Sequence, residues 1–154
     1  MVEFNQQYLS VWKNRRVDIL DGSTITMPDT EENQDTYPQN VAQEPGLGFP
    51  IARIVAVFSL ACGAIVDLGV CRYAGKGQGE LSVFRTLWNL FQPTDIVLSD
   101  CLYCTWTDLL LLKRRGVDSV TQLHQNRRAD FRRGTRLGKD DHIVRWRKPN
   151  SRRW

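Results

Sequence analysis

Two aspartates stand out by type and setting. Asp21 closes the run Val17-Asp-Ile-Leu-Asp21, and Asp100 closes Asp95-Ile-Val-Leu-Ser-Asp100. Each run is aliphatic and β-branched, as in a buried strand, with a carboxylate at its end. Open α/β sheets gather ligands at such strand ends. Two carboxylates on neighbouring strands can hold a hard, oxygen-seeking cation such as Mg2+ or Mn2+. Two such ions about 3.5–4 Å apart can activate a nucleophile and stabilise the leaving oxygen in phosphodiester chemistry. The same residues have a plain structural alternative. Asp beside Gly22 suits a turn, and Asp100 can cap whatever follows.

Other reactive side chains form weaker patterns. Cys101-Leu-Tyr-Cys104 has the spacing of a redox pair but lacks the chain order of a thioredoxin-like domain. Zinc would need more ligands, and Cys62, Cys71, His124 and His142 do not have finger spacing. Four cysteines in 154 residues make no disulfide framework and read as small, reduced residues in or near the core. Gly75-Lys-Gly-Gln-Gly79 is not a phosphate-binding P-loop, since G-x-x-x-x-G-K-[ST] is absent. It reads as a turn ahead of a helix, from which Lys76 can reach a DNA phosphate.

Charge is divided unevenly along the chain. Up to Leu110 there are 7 Lys/Arg against 13 Asp/Glu, and from Leu111 on there are 14 against 4. A basic tail on an acidic body points to a polyanion, most often nucleic acid. Phe131, Trp146 and Trp154 are interleaved in this basic segment, whose densest cluster is Arg127, Arg128, Arg132, Arg133, Arg136 and Lys139. Contacts from such residues to phosphates give affinity without sequence information. The apolar run Ile51–Val70 is broken by Arg53, Gly63, Asp67 and Gly69, so it is not a membrane span. The start of the chain has no basic region ahead of an apolar stretch. A cytoplasmic protein at the nucleoid is the expectation.

These residues need elements to place them. Phe4, Tyr8, Leu9 and Trp12 share a helical face, which predicts the end of a helix over 1–14. A strand is expected over Arg16–Thr26 and a long polar loop over Pro28–Pro50. Two buried strands, Ile51–Cys62 and Ala64–Tyr73, should hinge at Gly63. Glu80 opens a helix with the stripe Leu81, Phe84, Leu87, Trp88 and Phe91, stopped by Pro93. A strand at Asp95–Ser99, a helix at Thr107–Arg115 closed by Gly116, and a strand at Val117–His124 follow. Ile143, Val144 and Trp146 suggest one more strand. The order predicts an α/β domain with a mixed sheet, antiparallel in front and parallel behind.

At this point the sequence resembles a known family. Val17–Ile25 looks like the first catalytic strand of bacterial insertion-sequence DDE transposases, in the branch with a Tyr-Arg-Glu-Lys signature at its third acid. Gly46–Arg53 is similar to that family's entry to the second strand, Gly75–Glu80 to its turn into the first helix, and Asp95–Asp100 to its second-acid strand. Leu123–Arg128 and Asp141–Pro149 continue the match.

The resemblance implies an RNase H-like mixed β-sheet flanked by helices, with the start of a β-rich insertion at the C-terminus. The residual helix would span 1–14, the partial catalytic core 15–124 and the basic start of the insertion 125–154. It implies DNA cleavage and strand transfer, with Asp21 and Asp100 as the first two acids of the triad and ligands of Mg2+ or Mn2+. The partners would be transposon-end and target DNA, bound as a homodimer.

Three departures qualify this. Cys101 stands where the family has Arg, and Cys lacks the planar fork that suits phosphate. Only twenty residues precede Asp21, so the end-recognition region is missing. No Tyr-Arg-Glu-Lys pattern follows Asp100: Asp108, Asp118, Asp130, Asp140 and Asp141 do not fit it. The expectation is a chain truncated at both ends, with its third ligand beyond Trp154 and no activity alone. The alternative is a non-catalytic remnant that only binds nucleic acid.

Overall fold

The computed structural model describes residues 10–44, 46–125, 132–139 and 141–148. The N-terminal segment forms no helix where it is described. Ser10–Trp12 is a strand, β1, which folds back on β2 (Arg15–Thr26). The link is Lys13-Asn14, both at positive φ (49° and 59°), the geometry of a two-residue hairpin turn whose twist suits the flanking strands. A helical spacing of apolar residues here lost to pairing with the adjacent strand. Residues 1–9 of the expected helix lie outside the described residues.

A short helix, α1 (Glu31–Thr36), interrupts the expected loop, with the Thr30 side chain accepting from the Asn33 N–H. Strand β3 (Ile51–Ser59) and strand β4 (Ile65–Arg72) form the expected hairpin, with Gly63 at φ +70°. Helix α2 (Glu80–Thr86) ends before the expected stop at Pro93. The Thr86 hydroxyl donates back to the Val83 carbonyl at 2.7 Å, and the chain tightens into a 3-10 turn at Trp88–Leu90. Then come β5 (Ile96–Ser99), a 3-10 turn at Cys101–Tyr103, α3 (Trp106–Arg114) and β6 (Asp118–Thr121). β6 is shorter than expected. A separate hairpin pairs β7 (Thr135–Arg136) with β8 (His142–Ile143).

The main sheet runs β4-β3-β2-β5-β6, with β1 attached to β2. β2, β3 and β4 are antiparallel neighbours, whereas β2–β5 and β5–β6 are parallel. The fold is therefore α/β with a mixed five-strand sheet. Leu20, Val55, Val57 and Val97 of the sheet pack with Val83 and Phe84 of α2, Leu87 just after it and Leu112 of α3 in one core. Both helices therefore cover the same face.

Strand alternation puts Ile19, Asp21, Leu98 and Val120 on the other face. Toward β4 and β6 that face is open among the described residues, with Val120 59% exposed, Leu68 47% and Val70 43%, whereas Val17, Ala56 and Ile96 of the same face are buried. β4, expected as a buried strand, is an edge strand whose outward residues meet no cover among the described residues. Its inner face touches α2 so closely that a side chain at Gly69 would collide with Val83. Among the described residues no helix is long and apolar enough to cross a membrane.

One charged cluster lies inside the core side. Asp18 is fully buried opposite Ser59, with Arg16 Nε 3.0 Å from its Oδ2. The pair is close but not aligned for a hydrogen bond: both Asp18 oxygens, Arg16 Nε and Ser59 Oγ lack one. Burial pushes the Asp18 carboxyl above its ordinary 3.8, outweighing the attraction of Arg16, and the charge of Asp95 pushes the same way. A raised folded pKa means the neutral form suits the fold, so the contribution of Asp18 to stability is complete below about pH 3.8 and declines as Asp18 ionises. Asp18→Asn mimics the neutral form. Its melting temperature should exceed the wild type's by a few degrees at pH 7, with the gap closing as the pH falls toward 4. Thermal melts across that range check this; a variant less stable than wild type at pH 7 would mean that the ion pair outweighs its burial.

Candidate metal and nucleic-acid site

Asp21 lies inside β2, not in a turn, and its backbone pairs with Ala56 of β3. Asp100 directly follows β5. The β2–β5 pair ends in register at Leu20 with Ser99, so Asp21 and Asp100 stand next to each other one step further on. Both are exposed. Leu20 and Gly22, on either side of Asp21, point to the helix-covered face, and this alternation sends Asp21 outward.

Each carboxylate is half engaged. Asp21 Oδ1 accepts the Gly22 N–H at 2.9 Å, and Asp100 Oδ1 accepts the Leu102 N–H at 2.9 Å. The second contact is a cap on the Cys101–Tyr103 turn, as the structural alternative expected. The remaining oxygen of each, Oδ2, accepts no hydrogen bond among the described residues, and neither aspartate forms a salt bridge there. By contrast, Asp18, Asp95, Asp108, Asp118 and Glu80 are all paired with Arg or Lys. Two exposed carboxylates that each follow the last β2–β5 pair, with no salt bridge among the described residues, suit a hard divalent cation. Among the described residues no group of three or more His, Cys, Asp or Glu could hold a metal ion.

Behind the pair sits a network that sequence reading did not assign to the site. Glu80, the first residue of α2, pairs with Arg53 of β3 at 2.9 Å. It also accepts from the Tyr103 hydroxyl at 3.2 Å. Burial first, then the charge of Glu80 and lesser contributions from Asp100 and Asp21, push the Tyr103 pKa far above its usual value. The one signal for this in the sequence was Gly22: glycine inside a strand often marks a close approach.

No family model matches this chain, and no curated protein matches it.

The basic residues divide by place. Arg127 and Arg128 lie outside the described residues. Arg132, Arg133, Arg136 and Lys139 are exposed on or beside the β7–β8 hairpin. Arg136 Nε donates to the Gly138 carbonyl at 2.9 Å, which shapes the hairpin tip. Beyond it, Arg145, Arg147 and Lys148 are exposed as well. This segment is tied to the main domain by Trp106 Nε1, which donates to the Trp146 carbonyl at 3.2 Å. Trp106 opens α3, just after the turn that Asp100 caps. Lys76 is exposed in the turn before α2. The four cysteines are unpaired, and Cys104 is buried. Cys71 Sγ donates to the Gln78 carbonyl at 3.2 Å, a packing role. Cys101 follows Asp100 directly and is partly buried.

Proposed function

We propose that this chain is catalytic-core sequence of a bacterial DDE transposase, with an RNase H-like sheet that carries the first two acids of a metal-dependent DNA-cutting site. The observation that carries this reading is the Asp21–Asp100 pair. Each residue directly follows the last registered pair of the parallel β2 and β5 strands, is exposed, and has no basic partner among the described residues. The sheet supports the fold assignment: an antiparallel front, β2-β3-β4, continues into parallel β5 and β6.

Asp21 and Asp100 would hold Mg2+ or Mn2+, the cation supplying charge neutralisation and an activated hydroxyl for phosphodiester attack. The exposed Arg and Lys of residues 132–148 would hold the DNA backbone near that end of the sheet, with Lys76 as a further phosphate contact. A third acid that joined this pair would have to reach the sheet face away from the helices, where strand alternation puts Asp21. For this chain in isolation the second reading, a remnant that binds nucleic acid without cutting it, draws on one observation: no third ligand accompanies the pair among the described residues.

A thermal melt with Mn2+ tests the cation reading. Binding to the native state alone, at a hundred times the Kd, stabilises by about 2.7 kcal/mol, worth roughly 5–10 °C in a domain this size. Asp21→Ala or Asp100→Ala should abolish the shift. No shift in the wild-type protein, or an equal shift in both variants, would remove the metal site.

A further inference from the structure

The Asp21–Asp100 pair has a built support. Gly22 follows Asp21, and a side chain there would meet Glu80 Oε2 in hard collision and the Tyr103 hydroxyl at 2.9 Å. The β2 backbone next to one aspartate therefore rests on both groups. Tyr103 itself lies three residues after the other aspartate, in the turn that Asp100 caps. Its ring is buried and stands edge-on to Phe84, with centroids 5.5 Å apart.

Glu80 lies between these two backbones, hydrogen-bonded to the Tyr103 hydroxyl and packed against Gly22. Oε2 accepts the Tyr103 hydroxyl, and Oε1 is fixed by Arg53. Arg53 is held in turn by the Tyr73 carbonyl at 3.3 Å and lies over the Tyr73 ring at 5.2 Å. Elsewhere the Asp100 turn has few ties. Leu102 N–H meets Asp100 Oδ1, and the Thr121 hydroxyl donates to the Asp100 carbonyl at 2.6 Å. Like charges side by side repel, and nothing basic draws the two aspartates together among the described residues. The Tyr103–Glu80 hydrogen bond fixes the Asp100 turn to the start of α2, against which the Gly22 backbone packs closely.

We propose that Glu80 and Tyr103 are positioning residues that hold the Asp21 and Asp100 backbones in register for a shared divalent cation. This rests on the cation reading only for what the pair holds; the brace itself is a claim about this chain's own contacts. Glu80 also cancels the charge of Arg53 behind the pair, so a neutral residue in its place would leave a positive charge there that opposes a cation. A merely structural Glu80–Arg53 pair would leave the Asp100 turn indifferent to the Tyr103 hydroxyl.

Two measurements on the full chain test this: Mn2+ affinity by electron paramagnetic resonance, and amide hydrogen exchange at Leu102 and Cys104. Tyr103→Phe removes one hydrogen bond and keeps the ring. It should weaken Mn2+ binding about tenfold and speed exchange at both amides by a similar factor, the worth of one hydrogen bond to a charged group. Exchange at Val97, in the core strand, should not change. Glu80→Ala should do the same as Tyr103→Phe. Glu80→Gln, which still offers the hydroxyl an acceptor, should restore protection of Leu102 and Cys104 while binding Mn2+ more weakly than wild type. If the wild type binds no Mn2+, the cation reading fails and exchange alone decides the brace. Unchanged exchange in both Tyr103→Phe and Glu80→Ala overturns it, as does unchanged Mn2+ affinity in Tyr103→Phe where the wild type binds.

Discussion

Phe84→Ala should destabilise the fold by about 3–5 kcal/mol, from lost burial plus the cavity left behind. Phe84 is 1% exposed and is the hub of the aromatic packing. It meets Trp88 edge-on at 5.8 Å, Tyr103 edge-on at 5.5 Å and Phe91 at 6.2 Å. The loss is a large share of the 5–15 kcal/mol that holds a typical domain folded. The melting temperature should drop by about 10 °C or more. Phe84→Leu, which refills much of the space, should cost less than half as much. Urea denaturation followed by far-ultraviolet circular dichroism gives both values. A loss under 1 kcal/mol would mean that the core is centred elsewhere. The change also reaches the candidate site, because the ring that Phe84 supports is the one whose hydroxyl meets Glu80.

Much of this arrangement was legible in the sequence, for identifiable reasons. The hairpin at Gly63 could be read because two long apolar runs flank a glycine that takes positive φ. The α3 boundary could be read because Gly116 sits at φ +80° just past the helix. The adjacency of Asp21 and Asp100 could be anticipated because both close strand-like runs of similar length. What was misread traces to competing interactions. Residues 10–12 carry part of a helical apolar spacing, yet Lys13-Asn14 turns them back onto β2. The stripe of α2 continues to Phe91 in sequence, but the Thr86 hydroxyl competes for a helical carbonyl and the last turn tightens. β4 reads as buried from composition alone. Its exposure depends on strand order, which puts it at the edge with helices on one face only.

The supporting groups of the site were harder to see. Arg53 and Glu80 are 27 residues apart, and nothing in their spacing says that they meet. Only the β3 register and the start of α2 bring them together. Asp18 and Asp21 show the opposite problem. They look equivalent in Val17-Asp-Ile-Leu-Asp21, but a step of three residues along a strand reverses the face. One is buried beside Arg16, and the other faces solvent.

The second large effect concerns DNA. Changing Arg132, Arg133, Arg136 and Lys139 together to Ala should weaken duplex binding by two to three orders of magnitude at low salt. Each phosphate contact releases condensed counterion, so log affinity falls against log salt with a slope of about −0.9 per contact. Losing four contacts should flatten the slope by about 3.6. The weakening should be equal for unrelated duplexes, because contacts to phosphates position a protein without reading bases. All four side chains are exposed, and none belongs to the core cluster, so the main domain should keep its melting temperature. Fluorescence anisotropy with two unrelated duplexes between 50 and 200 mM salt supplies the slopes. Asp21→Ala in the same assay should leave the slope unchanged, or strengthen binding slightly by removing a negative charge. An unaltered slope in the fourfold variant would make the hairpin a solvated face, and the nucleic-acid contact would then have to lie on the remaining basic residues, such as Arg127 and Arg128, Lys76, or Arg145, Arg147 and Lys148.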